Sequence, residues 1–264
     1  MAHLTMSRRR HGVRIRGVEN RHPERASVQL DSVVRVFGSG ANATRALEGV
    51  SLSLAPGSFT AVMGPSGSGK TTMLLCAAGL DRQSEGTVHV GEMVLDRLSE
   101  RERAKLRRER IGFVFQSFNL LDALTAEQNV TLPARLAGKR LSRKRARAAL
   151  ARVGLEDKAG RRPAEMSGGE QQRVAVARAL VGEPDVVFAD EPTGALDLAS
   201  GRGVLDALRA AVDQLGQTVL MVTHDPRSAA RADRVVFLAD GRLVGQLEQP
   251  TADQVAEWMA RLEG

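Results

Sequence analysis

Short apolar segments recur along the chain and indicate β-strands, because a strand covered on both faces is apolar along its whole length. The clearest is the run Val-Val-Phe-Ala at residues 186–189. Turn residues such as Gly38-Ser39-Gly40 and Pro56-Gly57 separate neighbouring segments. The predicted strands are residues 28–37, 46–54, 58–63, 87–90, 111–115, 186–189, 218–222 and 234–238, followed by a turn at Asp240-Gly241 and a last small strand.

Helical segments lie between most of these strands. The predicted helices span residues 70–80 and 98–110, a segment after Gly169 that ends at Val181, residues 201–215, and a C-terminal segment from about Ala252. Strands that alternate with helices predict an α/β fold with a mostly parallel sheet. No repeat with a period of roughly 20–50 residues is visible, so the sequence indicates one such unit rather than two.

The pattern changes between about Leu120 and Met166. Pro133 and Gly138 interrupt this stretch, alanine and arginine are frequent in it, and runs of β-branched residues are scarce. This composition predicts a separate, all-helical insertion in the α/β core, with bounds at about residues 117–166.

Arginine is concentrated at the start of the chain. The formal net charge is +7, and residues 1–27 alone carry +5, from seven arginines and two glutamates. Such a tail could be attracted to nucleic acid or anionic lipid, but a disordered extension or a misplaced start codon is the favoured interpretation. We therefore divide the chain into a tail, 1–27, and a folded domain, 28–264. A second basic run, from Lys139 to Arg152, is expected to be a solvated helix face.

Composition narrows the class of protein. Hydrophobic residues make up 42% of the chain, as in ordinary globular proteins. Cys76 is the only cysteine, so no intrachain disulfide is possible; a reducing compartment fits, and Cys76 is expected to be a small core residue. No run of about 18 apolar residues is present, which argues against a bilayer-spanning helix. No apolar stretch follows the first arginines, which argues against a secretory signal.

A glycine-rich segment between a predicted strand and a predicted helix carries the first chemical signal. Residues 64–71, Gly-Pro-Ser-Gly-Ser-Gly-Lys-Thr, fit the phosphate-loop pattern. Its glycines let backbone N–H groups point at phosphate oxygens, at the start of a helix. Lys70 would reach the β- and γ-phosphates, and the Thr71 hydroxyl suits Mg²⁺. The predicted nucleotide contacts are Gly64, Ser66, Gly67, Ser68, Gly69, Lys70, Thr71 and Thr72.

Two carboxylates follow the apolar strand at residues 186–189. Asp190 and Glu191 stand at its carboxyl end, where α/β sheets bind ligands, and Pro192 ends the ladder. Successive strand residues point to opposite faces, so the two carboxylates are expected to differ in role. Asp190 would help to hold Mg²⁺, mostly through water, and Glu191 would polarise the attacking water as general base.

Together with these motifs, four further segments resemble the ATP-binding cassette (ABC) family. The match runs from roughly Val28 to Leu247, and its motifs stand in the family's order. The segments are Phe115-Gln116-Ser117, similar to the Q-loop; residues 166–173, similar to the signature sequence; residues 194–197, similar to the D-loop; and His224 in residues 222–225, similar to the switch histidine.

The resemblance implies a P-loop NTPase (RecA-like) core with an antiparallel β subdomain and an α-helical insert. It implies that Phe37 takes the place of the aromatic residue that stacks on adenine, usually a tyrosine; this chain has no tyrosine. A core phenylalanine is the alternative. Gln116 would contact Mg²⁺ and the attacking water, while its loop senses the neighbouring helical insert.

The resemblance also implies a head-to-tail homodimer. The N–H groups of Ser167, Gly168 and Gly169 would bind the γ-phosphate held by the other protomer, at the start of a helix. Asp197 would lie at the same interface. His224 would contact the γ-phosphate and orient Glu191. The expected ligands are therefore ATP and Mg²⁺, shared between two copies of the chain.

Several subclasses of the family do not fit the sequence. The stretch from Gln116 to Ser167 is too short for the long coiled coil of chromosome-maintenance ATPases. One cassette is present rather than two, and no membrane helices are predicted. The chain is therefore expected to be an ATPase subunit at the cytoplasmic face of the membrane. It would dock on an integral membrane permease, beside Phe118, Leu120, Leu121 and Leu124, which could alternatively be core residues.

Within the family, two segments resemble the group that serves lipoprotein release, macrolide-type efflux and cell-division signalling. These are residues 115–121 and residues 189–194, although Gly194-Ala195 departs from the usual Gly-Asn. The expected function is ATP hydrolysis that drives a permease, with export as the direction. The alternatives are a transmembrane signalling subunit without a transported substrate, and an ATP-gated module that acts on nucleic acid or a soluble partner. No nucleic-acid partner is expected.

Overall fold

The computed structural model of the chain describes residues 27–263. The basic tail predicted for residues 1–27 lies outside the described residues, apart from Ser27. The described strands are β1 (Val28–Phe37), β2 (Thr44–Leu54), β3 (Phe59–Met63), β4 (Glu85–Val90), β5 (Met93–Val94), β6 (Ile111–Val114), β7 (Val186–Asp190), β8 (Thr218–Val222), β9 (Arg234–Ala239) and β10 (Arg242–Glu248).

The helices include one short element that the sequence pattern did not predict, α7, which follows β8. The described α-helices are α1 (Lys70–Ala77), α2 (Glu100–Arg110), α3 (Ala126–Leu136), α4 (Arg143–Arg152), α5 (Gly168–Leu180), α6 (Leu198–Leu215), α7 (Pro226–Ala229) and α8 (Ala252–Glu263). None of these described helices combines the length and the apolar character that a bilayer-spanning segment needs.

Two sheets form the α/β core. The six-stranded sheet has the order β10-β9-β3-β8-β7-β6, and its strands pair in parallel except for the hairpin of β9 and β10. The four-stranded sheet has the order β2-β1-β4-β5, and all its pairs are antiparallel. The predicted α/β class with a mostly parallel sheet is therefore confirmed, with a separate antiparallel sheet beside it.

The central strands are apolar because both of their faces are covered. Every residue of β3 and β8 is buried, and so are the first four residues of β7. Val187 and Ala189 of β7 pack into one hydrophobic cluster, which includes residues of α5 and α6. Val186 and Phe188 pack into a second, which includes residues of α1 and the antiparallel sheet. Cys76 of α1 is buried in this second cluster, as expected of a small core residue, and burial raises its pKa to about 12.

Residues 117–166, where the sequence predicts a helical insertion, contain α3, α4 and two 3₁₀ turns, and no strand among these described residues. Asn129, fully buried in α3, fixes the loop before that helix. It accepts from the N–H of Leu121 and donates to the carbonyls of Leu121, Leu124 and Thr125. The basic residues of α4 lie on an exposed face, where Arg143 and Arg147 pair with Glu127.

Two capping side chains and one glycine shift three helix ends from their predicted positions. α2 begins at Glu100 because Ser99 and Glu102 form a capping box. α6 begins at Leu198, three residues before the predicted start, because the Asp197 carboxylate accepts from the N–H groups of Ala199 and Ser200. α1 ends at Ala77 rather than Leu80, since Gly79 has a left-handed conformation (φ 64°) that ends a helix.

The C-terminal helix packs on the β9–β10 hairpin through the only tryptophan of the chain. The Trp258 ring stacks on Phe237 of β9, with centroids 4.8 Å apart and an interplanar angle of 11°. Gly245 of β10 makes room for it, since a Cβ at this position would lie 2.3 Å from the indole.

Replacing Gly245 with alanine should therefore displace Trp258 and lower the free energy of unfolding by about 1–3 kcal/mol, as expected for overpacking. Urea denaturation followed by tryptophan emission measures both effects. Gly182→Ala is the control, because a Cβ there meets nothing within 4 Å and the residue has no positive φ. Equal stability of the two variants would contradict this account of α8.

Candidate functional site

The carboxyl ends of β3, β7 and β8 meet at one edge of the parallel sheet. Val222 of β8 pairs with Val62 of β3 on one side and with Asp190 of β7 on the other. The Thr223 N–H donates to the Val62 carbonyl, and the Glu191 N–H donates to the Val222 carbonyl. The phosphate loop, the acidic pair and the segment that carries His224 therefore lie side by side, where α/β sheets bind ligands.

Two glycines of the phosphate loop lie too close to neighbouring backbone atoms to be replaced by a residue with a side chain. Gly64 has φ 154°, and a Cβ there would lie 1.9 Å from the Leu238 carbonyl oxygen. Gly69 has φ 98°, and its Cβ would lie 2.3 Å from the Ala46 carbonyl oxygen. The loop passes against β9 and β2 at these points, and only glycine permits both the approach and the conformation.

Lys70 is the first residue of α1, and its ammonium lies inside the loop. Nζ donates to the carbonyls of Gly64 and Pro65 at 2.8 and 2.7 Å. Partial burial lowers the pKa of Lys70, against the opposing effect of the Glu191 and Asp190 carboxylates. A cation that is already desolvated within a ring of backbone groups is suited to phosphate oxygens, since less hydration must be removed on binding.

Asp190 lies opposite Thr71, the second residue of α1. The Thr71 hydroxyl donates to Asp190 Oδ1 at 3.4 Å. Burial, followed by the neighbouring Glu191 charge, raises the pKa of Asp190; the Thr71 hydrogen bond and Lys70 oppose this rise. A hydroxyl and a carboxylate side by side form a sparse oxygen donor set, and this suits Mg²⁺, which usually keeps several waters and substrate phosphates as ligands.

Glu191 has a left-handed backbone, with φ 47°, a conformation that costs free energy in a residue other than glycine. Its Oε2 lies 2.9 Å from His224 Nδ1. The Glu191 side chain is 18% exposed and the His224 side chain 71% exposed, so the pair has a sheltered carboxylate and an accessible imidazole. Such a carboxylate, oriented by a histidine, is placed to accept a proton from water.

Gln116 extends from the end of β6 towards the same edge. A Cβ at Gly194 would lie 3.0 Å from Gln116 Nε2 and 3.5 Å from Glu191 Cβ. The amide of Gln116 therefore passes over Gly194, next to Glu191. This places the predicted residues Gln116, Glu191 and His224 in one cluster.

The signature residues stand at the start of α5 and bond locally. Ser167 caps the helix: its hydroxyl accepts from the Glu170 N–H at 3.3 Å, and its own N–H donates to the Glu170 carboxylate at 2.8 Å. Gly169 lies against α6, where a Cβ would lie 2.5 Å from Ser200 Cβ. Ser167 is exposed, and none of its hydrogen bonds within residues 27–263 reaches the phosphate loop of the same chain.

Phe37, at the end of β1, is 42% exposed, so the alternative that it is a core residue is wrong. The guanidinium of Arg35 lies over its ring, 4.3 Å from the centroid. Arg35 is held in turn by Asp81, with two contacts of 2.9 Å. One face of the Phe37 ring is thus supported by a fixed cation.

Comparison with known proteins agrees with this geometry. The family description "ABC transporter" matches residues 47–194, more than half of the chain and most of the described motifs.

The chain belongs to the ABC transporter family. Macrolide export ATP-binding/permease proteins MacB are among its relatives. The protein from Burkholderia thailandensis is 46% identical over 86% of this chain and 35% of its own length. The protein from Neisseria gonorrhoeae is 45% identical over 82% of this chain and 34% of its own length. The chain thus spans about a third of the length of these relatives.

Solved ABC cassettes share the fold. The ATP-binding cassette MJ0796, in a dimeric post-hydrolysis state bound to ADP and Pi, is 40% identical, with a TM-score of 0.77 over 84% of this chain and 99% of its own. CbiO1 from Clostridium perfringens is 28% identical, with a TM-score of 0.77 over 90% of this chain and 93% of its own. The chain is therefore an ABC ATPase cassette, as its sequence predicted.

The structure brings further residues to the site of this ABC cassette that sequence reasoning missed. Arg35 and Asp81 lie behind Phe37, and Gln172 of α5 donates to the carbonyls of Phe115 and Pro192. Gln172 stands within the signature segment, but its burial and its partners are visible only in the structure. Arg35 and Asp81 carry no sequence signal, because their pairing joins residues 46 positions apart.

Asp190→Asn should raise the free energy of unfolding, because it removes a partly buried charge next to Glu191 and keeps an acceptor for Thr71. The gain should be present above the raised pKa of Asp190 in the folded state. It should vanish as the pH falls below the ordinary aspartate pKa of 3.8, where wild-type Asp190 is neutral in both the folded and the unfolded state.

Urea denaturation without nucleotide or divalent metal measures this effect. Asp197→Ala is the matched control, and it should change the free energy of unfolding in the opposite direction. Hydrogen bonds from Ser200 and Ala199 lower the pKa of Asp197, so removing it should destabilise α6. An Asp190→Asn variant that is less stable than the wild type at pH 7 would contradict the conclusion that the Asp190 charge destabilises the folded state.

Proposed function

We propose that the chain binds ATP with Mg²⁺ at this edge of the sheet. The phosphate loop would hold the triphosphate through backbone N–H groups of Gly64 and residues 66–72 and through Lys70. Lys70 would exchange its two carbonyl partners for β- and γ-phosphate oxygens. The adenine would stack on the free face of Phe37, whose other face lies on Arg35. A stacking contact alone recognises a ring face, so selection among purines should be weak.

The observation that carries the catalytic assignment is the 2.9 Å contact between Glu191 and His224, next to the phosphate loop. Glu191 would accept the proton of the attacking water as general base. His224 would orient Glu191 and contact the γ-phosphate with its accessible ring. Gln116, which lies beside Glu191, would hold the same water through its amide.

Thr71, Asp190 and Gln116 would hold Mg²⁺, with Asp190 acting mostly through water. The donor set fits this ion: a hydroxyl, a carboxylate and an amide oxygen are hard ligands, and they leave room for phosphate oxygens. The bound ion would neutralise charge on the β- and γ-phosphates. It would also offset the charges of Asp190 and Glu191; burial, followed by the Glu191 charge, raises the pKa of Asp190.

Two copies of the chain would form the complete site. Ser167, Gly168 and Gly169 start α5 with N–H groups that a γ-phosphate from the other copy could accept. In this chain Ser167 is exposed and bonds only locally, and Asp197 is exposed at the start of α6. The dimeric state of the related cassette MJ0796 supports this arrangement.

The cassette would drive an integral membrane permease at the cytoplasmic face, with export as the direction. The support is the similarity to macrolide export proteins that combine an ATP-binding part with a permease. The predicted docking residues differ in their exposure. Leu121 is 50% exposed and offers apolar surface, while Leu120 packs against the core and Phe118 and Leu124 are half-buried.

Glu191→Gln should lower kcat by about 100-fold or more, as expected for loss of a general base, with little loss of ATP binding. Phosphate release and titration with a fluorescent ATP analogue measure the two quantities. Glu257→Gln, on the distant helix α8, is the control and should retain activity. Turnover near the wild-type rate in Glu191→Gln would exclude it as the base.

Mixing two inactive variants tests the shared site. Lys70→Ala and Ser167→Arg should each lack hydrolysis, but a mixed dimer would contain one site with both native residues. Random mixing should restore about a quarter of the wild-type rate if each site acts alone. Lys70→Ala mixed with Glu191→Gln is the matched control: both residues serve the nucleotide of their own chain, so no site is restored. Equal rates in the two mixtures would contradict the head-to-tail arrangement.

A further inference from the structure

One fully buried glutamine connects the two segments that carry the catalytic side chains. Gln172 lies on α5 and is 0% exposed. Its Nε2 donates to the Phe115 carbonyl at 3.0 Å and to the Pro192 carbonyl at 2.8 Å. Phe115 directly precedes Gln116, and Pro192 directly follows Glu191.

We propose that Gln172 is a positioning residue for ATP hydrolysis. It holds the segments of Gln116 and Glu191 at a fixed distance from each other and links both segments to the start of α5. The inference rests on the proposed function, because it concerns the same two side chains. It assigns no contact with substrate to Gln172, which acts through its two neighbours.

The sheet itself does not hold these two segments together. The parallel ladder of β6 and β7 ends at the pair Val114 and Ala189, one residue before Phe115 and Asp190. Beyond that pair, no backbone hydrogen bond within residues 27–263 joins the segment of Gln116 to the segment of Glu191. The two N–H groups of the Gln172 amide continue the connection where backbone pairing stops, as a side chain can replace backbone partners at the end of a regular element.

A second side chain of α5 holds the other end of the same loop. Arg178 donates to the carbonyls of Phe118 and Asn119, two residues with left-handed backbones at φ 48° and 52°. The loop that contains Gln116 is therefore attached to α5 on both sides. Ser167 caps the same helix. A phosphate held by a second copy at Ser167 would therefore bind to the helix whose side chains contact the segments of Gln116 and Glu191.

The side chain of Gln172 forms its hydrogen bonds through its nitrogen alone. Its Oε1 is buried and has no hydrogen-bond partner within residues 27–263. The two N–H groups satisfy the Phe115 and Pro192 carbonyls, which an apolar side chain of similar volume would leave unpaired. The amide therefore stabilises the core as well as fixing the two segments, so a test of positioning must separate kcat from stability.

Gln172→Met tests the proposal, because it retains volume and removes both donors. We expect kcat to fall about 10- to 100-fold while the Kd for the ATP analogue changes less than about threefold, since only the catalytic geometry is lost. Asn129→Leu is the matched control: it removes a fully buried amide that donates to three carbonyls within the helical insert. It should lower the unfolding midpoint and leave kcat unchanged for folded protein.

A combined variant separates positioning from stability. If Gln172 acts through Glu191, then Gln172→Met should have almost no further effect in the Glu191→Gln background. An unchanged kcat in Gln172→Met, or an equal loss in Asn129→Leu, would overturn the proposal. A Glu191→Gln variant with full activity would instead refute the proposed function, so the two failures are distinguishable. If Gln172→Met does not fold, Gln172→Asn, which keeps a neutral amide but shortens its reach by one methylene group, replaces it with the same expected loss of kcat.

Discussion

The parallel register of β3, β8 and β7 is the constraint on which the site depends. Because these strands pair in parallel, their carboxyl ends lie at one edge. Residues more than a hundred positions apart therefore lie close together there: the Thr71 hydroxyl donates to Asp190, and the Glu191 charge acts on Lys70. The apolar side chains of the three strands, packed on both faces, fix this register. The hydrophobic core thus determines the geometry of the candidate site.

The site contains buried charges and one backbone conformation that are unfavourable in the folded chain. Burial lowers the pKa of Lys70 and raises that of Asp190, so neither charge is stabilised by its surroundings as it would be in water. Glu191 has a strained backbone at the point where the chain leaves β7. Strained backbones of this kind are concentrated at ligand sites. A triphosphate would offset the Lys70 charge, and a divalent ion would offset the Asp190 and Glu191 charges.

Much of this arrangement could be predicted from local sequence. The phosphate loop, the acidic pair and His224 each follow a predicted strand, so their meeting at one edge followed from the α/β pattern alone. The predicted start of α6 was three residues too late, because the helix begins directly after Asp197, whose carboxylate caps it. Arg35, Asp81 and Gln172 were missed because their contacts depend on tertiary packing between distant segments, which no local pattern records. The two-residue strand β5 and the four-residue helix α7 are too short to give a periodic signal.

We propose that a triphosphate lies between the phosphate loop of one copy and the start of α5 of another. A crystal structure with Mg²⁺ and a non-hydrolysable ATP analogue tests this most directly. We predict that Lys70 Nζ leaves the Gly64 and Pro65 carbonyls for the β- and γ-phosphates, and that Ser167 of a second copy lies within hydrogen-bond distance of the γ-phosphate. A structure in which Lys70 keeps its carbonyl partners, or in which Ser167 is remote from every phosphate, would contradict it.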